Sequence, residues 1–417
     1  MVDRCKNIKL TLPLCERATL FALDGKWKRT TTLELMNKYG GVTNAEIKAK
    51  AKVQDMTARL EAVKGIACEV LQRLEDLQER YAEDLDLEPV KKKKRVDGVS
   101  GKERELTSEC AMHQIYDHLA VIGLKPLFDA KILPWQFASI PGKGQTGGAR
   151  QLHSWLNKKA PKTKHGAKVD VRHAYQTCRG EAVMQLLRED IPRAFWQLVL
   201  VAALLKMDPD GALLIGSYLS AWLFNYVMQR FLRHLLEMAK IRRGNIKRLV
   251  NRILSYMDDV AAFADRLADL LMALKRGGKW LTKELGMELK PEKTVITFLT
   301  IEEERRRRKE TRPAARGCPG IDMMGYVVHR TYITIRPKIF LRARRAYLRA
   351  AAELEKTGCI RLFRCYRITS YYGPFKQSDS RKAQENLHVQ ELVKIAKQTI
   401  AAAARKRAAA KKGLVLP

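Results

Sequence analysis

The chain has 417 residues, and its 79 Lys and Arg outnumber its 45 Asp and Glu, which gives a net charge of +34. This balance excludes an acidic, solvating protein and favours a polyanionic partner. With 46% hydrophobic residues, the composition is that of a globular chain with enough apolar surface for roughly two or three domains. A disordered, histone-like tail is therefore excluded as a description of the whole chain.

The cysteines and the apolar runs indicate the cellular setting. The cysteines are scattered and form no Cys-x-x-Cys pair and no Cys/His cluster at zinc-ligand spacing, which favours a reducing, intracellular environment. The N-terminus lacks the apolar segment of a signal peptide. The longest apolar runs, at 194–205 and 212–224, are too short or too interrupted to span a bilayer. We therefore expect a soluble protein that has no contact with a membrane.

The chain begins with helical and charged segments. Residues 43–88 have apolar side chains at helical spacing and predict one long amphipathic helix or a helix pair. The charged run at 89–106, which contains KKKKRV, predicts an exposed linker or loop.

From about residue 108, helical segments alternate with β-branched ones, which predicts an α+β core. The expected helices are 112–122, 149–157, 181–188, 193–206 and 217–239. The expected strands lie within 167–175, 253–264, 293–299 and 326–335. Beyond Arg336 we expect basic helices, interrupted at Tyr371-Tyr372-Gly373.

Two adjacent carboxylates, Asp258 and Asp259, follow Tyr256 and Met257 between hydrophobic flanks. These flanks predict a tight turn between two buried strands. Burying two adjacent charges costs several kcal/mol unless a cation or hydrogen bonds compensate, and a divalent metal held by carboxylate oxygens is the natural compensator. Taken alone, the string is equally compatible with a solvent-exposed turn that contains two aspartates.

A further acid, Asp170, lies in the middle of another short β-like run, KVDVRHAY. Two strands that each deliver a carboxylate to the same edge can hold two metal ions about 3.5–4 Å apart, an arrangement suited to in-line attack at phosphorus. Asp170 alone would be an ordinary strand-end acid. The combination, in a basic chain, predicts chemistry on a nucleic acid.

The order of these motifs resembles that of reverse transcriptases, specifically the prokaryotic retroelement branch, over most of the chain from about residue 108. The resemblance implies an α+β right-hand polymerase with fingers, a palm made of an antiparallel sheet plus helices, and a helical thumb. The expected boundaries are 1–107 for a helical N-terminal extension, 108–337 for fingers and palm, and 338–417 for the basic thumb and tail.

The resemblance also implies roles for residues of motifs A and B. The string DVRHAY is similar to motif A, which makes Asp170 and Val171 metal ligands. Tyr175 becomes the steric gate against ribonucleotides. In the string similar to motif B, which packs beneath the template and the incoming nucleotide, the expected contacts are Ile215, Gly216 and Ser220.

Three more motifs follow in the family's order. YMDD is similar to motif C, which implies that Asp258 is a metal ligand and that Asp259 lies beside the site and its metal. Motif D points to Lys293, or as second choice Lys290, as the donor of a proton to the leaving pyrophosphate. The remaining assignments are Val171, Tyr256 and Met257 at the nucleotide, and Met324, Gly325 and Tyr326 in the primer grip of motif E.

A Gly-rich loop at 139–145 resembles the fingers motif of prokaryotic members. Its glycines free backbone amides for close approach, and Lys143 with Arg150 supplies positive charge for the triphosphate. Motif B departs from many relatives, because Ala221 follows Ser220, and because the apolar Ile215 stands where a Gln is common. The second feature is reminiscent of diversity-generating retroelements. His113 and His118, on one predicted helix, are not expected to form a metal pair.

These features predict an RNA-directed DNA polymerase that adds dNTPs to a primer 3′-hydroxyl with two Mg2+ ions, or Mn2+ in their place. The expected partners are a structured noncoding template RNA, a primer and the cDNA product, in the cytoplasm of a prokaryotic cell. A homo-oligomer or an accessory protein is left open. The alternatives are a template-independent or protein-primed polymerase of the same fold, and a nonenzymatic, maturase-like RNA-binding protein.

Overall fold

The computed structural model of the chain describes residues 3–43, 56–79, 85, 87–96, 103–310 and 317–411. Up to the first β-sheet strand of the core, the elements are α1 (Leu12–Leu23), α2 (Thr30–Tyr39), α3 (Met56–Glu79), β1 (Lys91–Val96), β2 (Glu103–Ser108), α4 (Ala111–Lys131), α5 (Gln145–Lys158) and β3 (His165–Asp170). They are followed by α6 (Ala174–Thr177), α7 (Gly180–Asp190), α8 (Phe195–Leu205), α9 (Tyr218–Glu237), β4 (Ala239–Arg242), β5 (Asn245–Arg248), β6 (Arg252–Tyr256) and β7 (Asp259–Ala264).

The remaining elements are α10 (Leu267–Leu285), β8 (Thr294–Thr297), α11 (Ile301–Glu310), β9 (Ile321–Met323), β10 (Tyr326–Val328), β11 (Ile333–Ile335), α12 (Pro337–Thr357), α13 (Leu362–Lys376), α14 (Arg381–Asn386) and α15 (Val389–Lys411). The five helices and the four strand regions expected between 112 and 335 are confirmed. Among the described residues, no helix combines the length and the apolar character needed to cross a membrane.

The N-terminal helices share the main hydrophobic core instead of forming one of their own. Helix α1 packs against both α3 and α4. Apolar side chains such as Cys15, Ile66 and Val70 are fully buried in the same cluster as Ile115 of α4. The helix predicted within 43–88 is confirmed at Met56–Glu79, while 44–55, 80–84 and 86 lie outside the described residues.

The prediction of an exposed linker or loop at 89–106 is wrong. In the structure, β1 and β2 form an antiparallel hairpin that pairs Lys91 with Ser108 and Val96 with Glu103. Its tip, 97–102, lies outside the described residues. All side chains of β1 are exposed, so no apolar alternation marks the strand in the sequence. The hairpin is fixed instead by Thr107, whose main-chain N–H and Oγ1 donate to Ile215 O at 2.9 and 2.8 Å.

The central sheet has the strand order β6-β7-β3-β8, and every neighbouring pair is antiparallel. Its middle strands are apolar and buried, as shown by Val169 paired with Val260. Helix α10 packs against β7 and β3, and α9 packs against α10 and β6. The sheet therefore has the palm-like composition expected from the sequence.

The C-terminal helices have a separate apolar core, which includes Tyr347, Tyr371 and Phe375. Tyr371-Tyr372-Gly373 does not interrupt the helices as expected but lies inside α13. The reason is that the buried Tyr371 packs into this core in helical register. Along α12, the buried positions alternate with exposed basic side chains in helical register, which are Lys338, Arg344, Arg345 and Arg349.

Candidate active site

The structure brings Asp170, Asp258 and Asp259 together at one edge of the central sheet. Asp170 ends β3 directly opposite Asp259 at the start of β7. Asp258 lies in the turn between β6 and β7, and its main-chain carbonyl accepts a hydrogen bond from Val171 N at 3.1 Å. Antiparallel pairing thus places Asp170 and Asp259, which are 89 positions apart in the sequence, side by side.

The turn between β6 and β7 is two residues long, because Tyr256 pairs with Asp259. Its first residue, Met257, has a left-handed φ of 53°. Two-residue hairpin turns require positive φ at this position to follow the twist of the strands. The residue with left-handed backbone therefore directly precedes Asp258, whose side chain lies near that of Asp170.

The three carboxylates repel one another. Burial, together with the neighbouring Asp259 and Asp170, raises the pKa of Asp258 to about 6. Two lysines offset part of this charge: Lys168 Nζ lies 2.9 Å from Asp259 Oδ1, and Lys290 Nζ lies 2.9 Å from Asp170 Oδ2. The main-chain N–H of Lys290 also donates to Asp170 O at 2.8 Å.

The donor set at this edge fits a hard divalent cation. Asp170 Oδ1 is buried and has no hydrogen-bond partner, and a buried carboxylate oxygen without a partner is costly. Mg2+ and Mn2+ prefer carboxylate oxygens of this kind. Asp170 and Asp258 are the residues that could hold such an ion, because Asp170 keeps Oδ1 outside its pair with Lys290 and Asp258 lies in the adjoining turn.

Tyr175 lies directly beside this cluster. Its ring stacks on Phe224, with 5.2 Å between ring centroids, and its hydroxyl donates toward Met257 Sδ at 3.6 Å. Burial, with a smaller effect from Asp258, raises the pKa of the phenol. The ring is consequently fixed in position by packing, which is a property that a steric gate needs.

The loop before α9 contains the expected motif B residues. Gly216 has a φ of 110° and is exposed, whereas Ser220 is buried. Ser220 Oγ accepts from Leu214 N at 3.1 Å. The Ser220 side chain therefore stabilises the loop, and the exposed surface is formed by Gly216 and the half-buried Ile215.

The fingers residues Lys143 and Arg150 do not reach the carboxylates. Lys143 Nζ donates to the main-chain oxygens of Pro134 and Gln136 at 2.8 and 3.0 Å, and burial lowers its pKa. Arg150 donates to Gln377 Oε1 just after α13. In this structure, Lys143 closes its own loop and Arg150 links α5 to the C-terminal helices.

The expected primer grip is a second tight hairpin, between β9 and β10. Met324 and Gly325 form its turn, and both have positive φ, at 57° and 85°. Tyr326 is buried behind it. The turn packs on α5, because a Cβ added at Gly148 would overlap Met324 Sδ.

The motif D lysines are separated by the structure. Lys290 contacts Asp170, as described above, while Lys293 is exposed next to β8. The main chain explains the difference, since the N–H of Lys290 bonds to Asp170 O and so directs its side chain to the same carboxylate. The sequence ranked these two lysines in the opposite order.

Sequence reasoning missed Lys168 and Thr107. A signal for Lys168 is available, because it lies two positions before Asp170 in β3 and so points to the same face of the sheet. No comparable signal exists for Thr107, whose contact with Ile215 joins positions far apart in the chain. Hairpin β1/β2 therefore borders the motif B loop, which only the tertiary structure reveals.

Comparison with known families decides the identity of the fold. The family described as "Reverse transcriptase (RNA-dependent DNA polymerase)" matches residues 90–328. The chain belongs to the reverse transcriptase family. It is thus an RNA-directed DNA polymerase with the right-hand polymerase fold, as the sequence predicted. Enzymes of this family use divalent metals, nucleotides and an RNA template.

The search of curated proteins found no match to this reverse transcriptase. Among solved structures, it is similar to an apo telomerase from Candida tropicalis, truncated from the C-terminal domain, at 10% sequence identity and a TM-score of 0.40. That similarity covers 81% of this chain and 84% of the telomerase chain.

Proposed function

We propose that this reverse transcriptase serves a prokaryotic retroelement of the diversity-generating or antiviral-defence kind. It would copy a structured noncoding RNA into cDNA in the cytoplasm, with a primer and dNTPs as substrates and with a second copy or an accessory protein as a further partner. The apolar Ile215 before Gly216 in motif B supports this branch of the family. The basic surface of α12 supports contact with a nucleic-acid duplex.

The observation that carries the catalytic proposal is the convergence of Asp170, Asp258 and Asp259 at one sheet edge. In this proposal, Asp170 and Asp258 hold two Mg2+ ions, for which Mn2+ can substitute, with Val171 and Asp259 next to them. Such ions lower the pKa of the primer 3′-hydroxyl and neutralise the triphosphate when bound. The protein itself contributes mainly position and charge.

Lys290 is the proposed proton donor to the leaving pyrophosphate. Its ammonium group is protonated at neutral pH, as in any ordinary lysine, and the hydrogen bond to Asp170 Oδ2 at 2.9 Å holds it beside the carboxylates. Lys293 is the second choice, because a change in the loop before β8 would be needed to bring its exposed side chain to the same place.

The remaining roles follow from position. Tyr175 excludes the ribose 2′-hydroxyl, and the exposed loop at Ile215 and Gly216 supports the base pair. Other proposed contacts to the nucleotide are Lys143, Arg150, Val171, Ser220, Tyr256 and Met257, and the proposed primer grip is Met324, Gly325 and Tyr326. The proposed boundaries are 1–107, 108–337 and 338–417, the last supported by the separate core of the C-terminal helices.

Hairpin β1/β2 is a proposed contact for the RNA. Strand alternation places Lys91, Lys93 and Arg95 on one face. On the other face, Lys92 pairs with Asp210 at 3.2 Å and Lys94 pairs with Glu103 at 3.6 Å. The first face is therefore the one with positive charge for phosphates.

Primer extension with the full chain tests this proposal. We expect a product whose sequence is complementary to a supplied RNA template, in wild type and in the control Asp265→Asn, which alters an exposed acid after the far end of β7. Asp258→Asn should abolish extension and leave RNA binding intact. Extension by Asp258→Asn at a rate near wild type would contradict the assignment of the catalytic acids.

The same assay separates the template-independent and protein-primed alternatives. The Ser220-Ala221 departure in motif B leaves room for them. A product formed without template, or one attached to the protein, would favour these alternatives. Sequencing of the RNA that copurifies with the chain then tests the retroelement assignment, since a single structured transcript is expected.

A further inference from the structure

A second group of metal-ligating side chains lies at the start of α4, in residues that motifs A to E do not include. His113 and Asp117 lie four residues apart on α4 and therefore face the same side, and Glu109 stands just before the N-cap of this helix, Cys110. Their side chains are almost completely buried, with exposed fractions of 6%, 1% and 1%.

The distances within this group fit a bound ion better than hydrogen bonds. His113 Nε2 lies 3.9 Å from Glu109 Oε1 and 3.6 Å from Asp117 Oδ1, whereas hydrogen bonds of this kind measure about 2.7–3.2 Å. The candidate ligand atoms of all three side chains lie within 4.8 Å of one another. In a tetrahedral zinc site with bonds of about 2.0–2.2 Å, neighbouring ligand atoms are about 3.4 Å apart.

The atoms that face the centre of the group lack other partners. Glu109 Oε1 and Asp117 Oδ1 are buried without a hydrogen bond. Lys26, a cation in this region, donates to Gln114 Oε1 at 2.7 Å and acts on Glu109 through its charge rather than through a direct ion pair. Two buried carboxylate oxygens with no partner are costly, and a cation between them removes that cost.

We propose that Glu109, His113 and Asp117 form a second metal site, which binds a divalent transition ion such as Zn2+. A histidine with two carboxylates suits Zn2+, whereas Mg2+ prefers ligands that are all oxygen. Three protein ligands leave one position of a tetrahedral ion for water.

This site connects the start of α4 to the motif B loop. Asp117 Oδ2 accepts hydrogen bonds from Ser217 Oγ at 2.7 Å and from Leu219 N at 3.1 Å. Ser217 is the N-cap of α9 and follows Gly216 directly. The bound ion therefore fixes the carboxylate that holds this loop in place, which gives it a structural role.

Metal binding is tested in the full chain with the substitutions Asp170→Asn and Asp258→Asn, so that the proposed catalytic ions do not contribute. The protein is stripped with EDTA and dialysed against Zn2+, and bound metal and melting temperature are measured. We expect one Zn2+ per chain, a higher melting temperature with Zn2+, and no comparable effect of Mg2+.

His113→Ala in this background should lose one equivalent of Zn2+ and the rise in melting temperature. The matched control is His118→Ala on the same helix, because His118 stacks on Tyr218, with 4.1 Å between ring centroids. Co2+ in place of Zn2+ should give the intense visible absorption of a tetrahedral ion in the control and not in His113→Ala.

No Zn2+ binding, or equal binding by His113→Ala and His118→Ala, would overturn the proposal and identify any bound ion as adventitious. If His113→Ala does not fold, Glu109→Gln decides the question: weakened Zn2+ binding supports the site, and unchanged binding refutes it. These outcomes do not depend on polymerase activity, so the failure of this inference and the failure of the proposed function are distinguishable.

Discussion

Two groups of carboxylates in this chain balance their charge in opposite ways. At the sheet edge, Lys168 and Lys290 each contact an acid, and the side chains of Asp259 and Asp170 remain 22% and 28% exposed. At the start of α4, the side chains of Glu109 and Asp117 are almost completely buried, and His113 lies between them. The first group is therefore more open to solvent than the second, whose two acid side chains are 6% and 1% exposed.

This difference shows how position determines the use of a carboxylate. A lysine that pairs with a half-exposed acid can move aside, because surface ion pairs are weak. A buried acid cannot exchange its partner without leaving a charge uncompensated. The first arrangement suits ions and substrates that come and go, and the second suits an ion or a hydrogen-bond network that stays.

The largest expected effect is on activity. Asp170→Asn should reduce primer extension by about 10^3-fold or more, since several kcal/mol of transition-state charge stabilisation are lost. The melting temperature should not fall, because the substitution relieves repulsion between acids and leaves an oxygen for Lys290. Steady-state extension rates and thermal melts check both parts, and a variant that is active or unstable would contradict the catalytic role.

The second prediction concerns stability at the other group. Asp117→Ala should lower the free energy of unfolding by about 3 kcal/mol, since two buried donors, Ser217 Oγ and Leu219 N, lose their acceptor. Urea denaturation in EDTA measures this. Asp129→Ala, an exposed position on the same helix, should change the value by less than about 0.5 kcal/mol. Similar values for both variants would remove the distinction between the two groups.

A third prediction tests whether the ring of Tyr175, rather than its hydroxyl, excludes ribonucleotides. Tyr175→Ala should admit ribonucleotides, with a gain of about tenfold or more in their relative use, because the ring that stacks on Phe224 is removed. Tyr175→Phe keeps the ring and should keep the discrimination. Competition assays with dNTPs and rNTPs decide, and unchanged selectivity in Tyr175→Ala would exclude the gate.

The smallest effect is expected from Lys168→Ala. Loss of this partly exposed ion pair should lower stability by less than about 1 kcal/mol. It should also increase the stabilisation that Mg2+ provides, because Asp259 then lacks its own cation. The control is Lys164→Ala, an exposed lysine just before β3. Melting temperatures with and without Mg2+ test this, and equal Mg2+ effects in both variants would contradict the competition.

Much of the core was predictable because its segments are rich in apolar and β-branched residues. Helix α9 and strand β7 bury most of their side chains, and the apolar flanks of Asp258 and Asp259 predicted a turn between buried strands. Hairpin β1/β2 was not predictable, because its first strand is fully exposed and is held by main-chain pairing and by Thr107.

The sequence was enough to predict that the three aspartates lie together, but not which side chains surround them. The sequence placed Asp170, Asp258 and Asp259 but ranked Lys293 above Lys290, since spacing alone does not show which lysine returns to β3. It compared His113 with His118, which are five positions apart and point in different directions. The side chains that lie beside His113 are instead Glu109 and Asp117, each four positions away in the sequence.

The contact between Gly148 and Met324 has a consequence for motion. Helix α5 touches the β9/β10 turn without a gap, and two residues further on Arg150 bonds to Gln377. We therefore expect the Gly-rich loop, the turn and the end of α13 to move together. Under the proposed function, in which the loop contacts the nucleotide and the turn grips the primer, a nucleotide that displaces the loop would also shift the primer end.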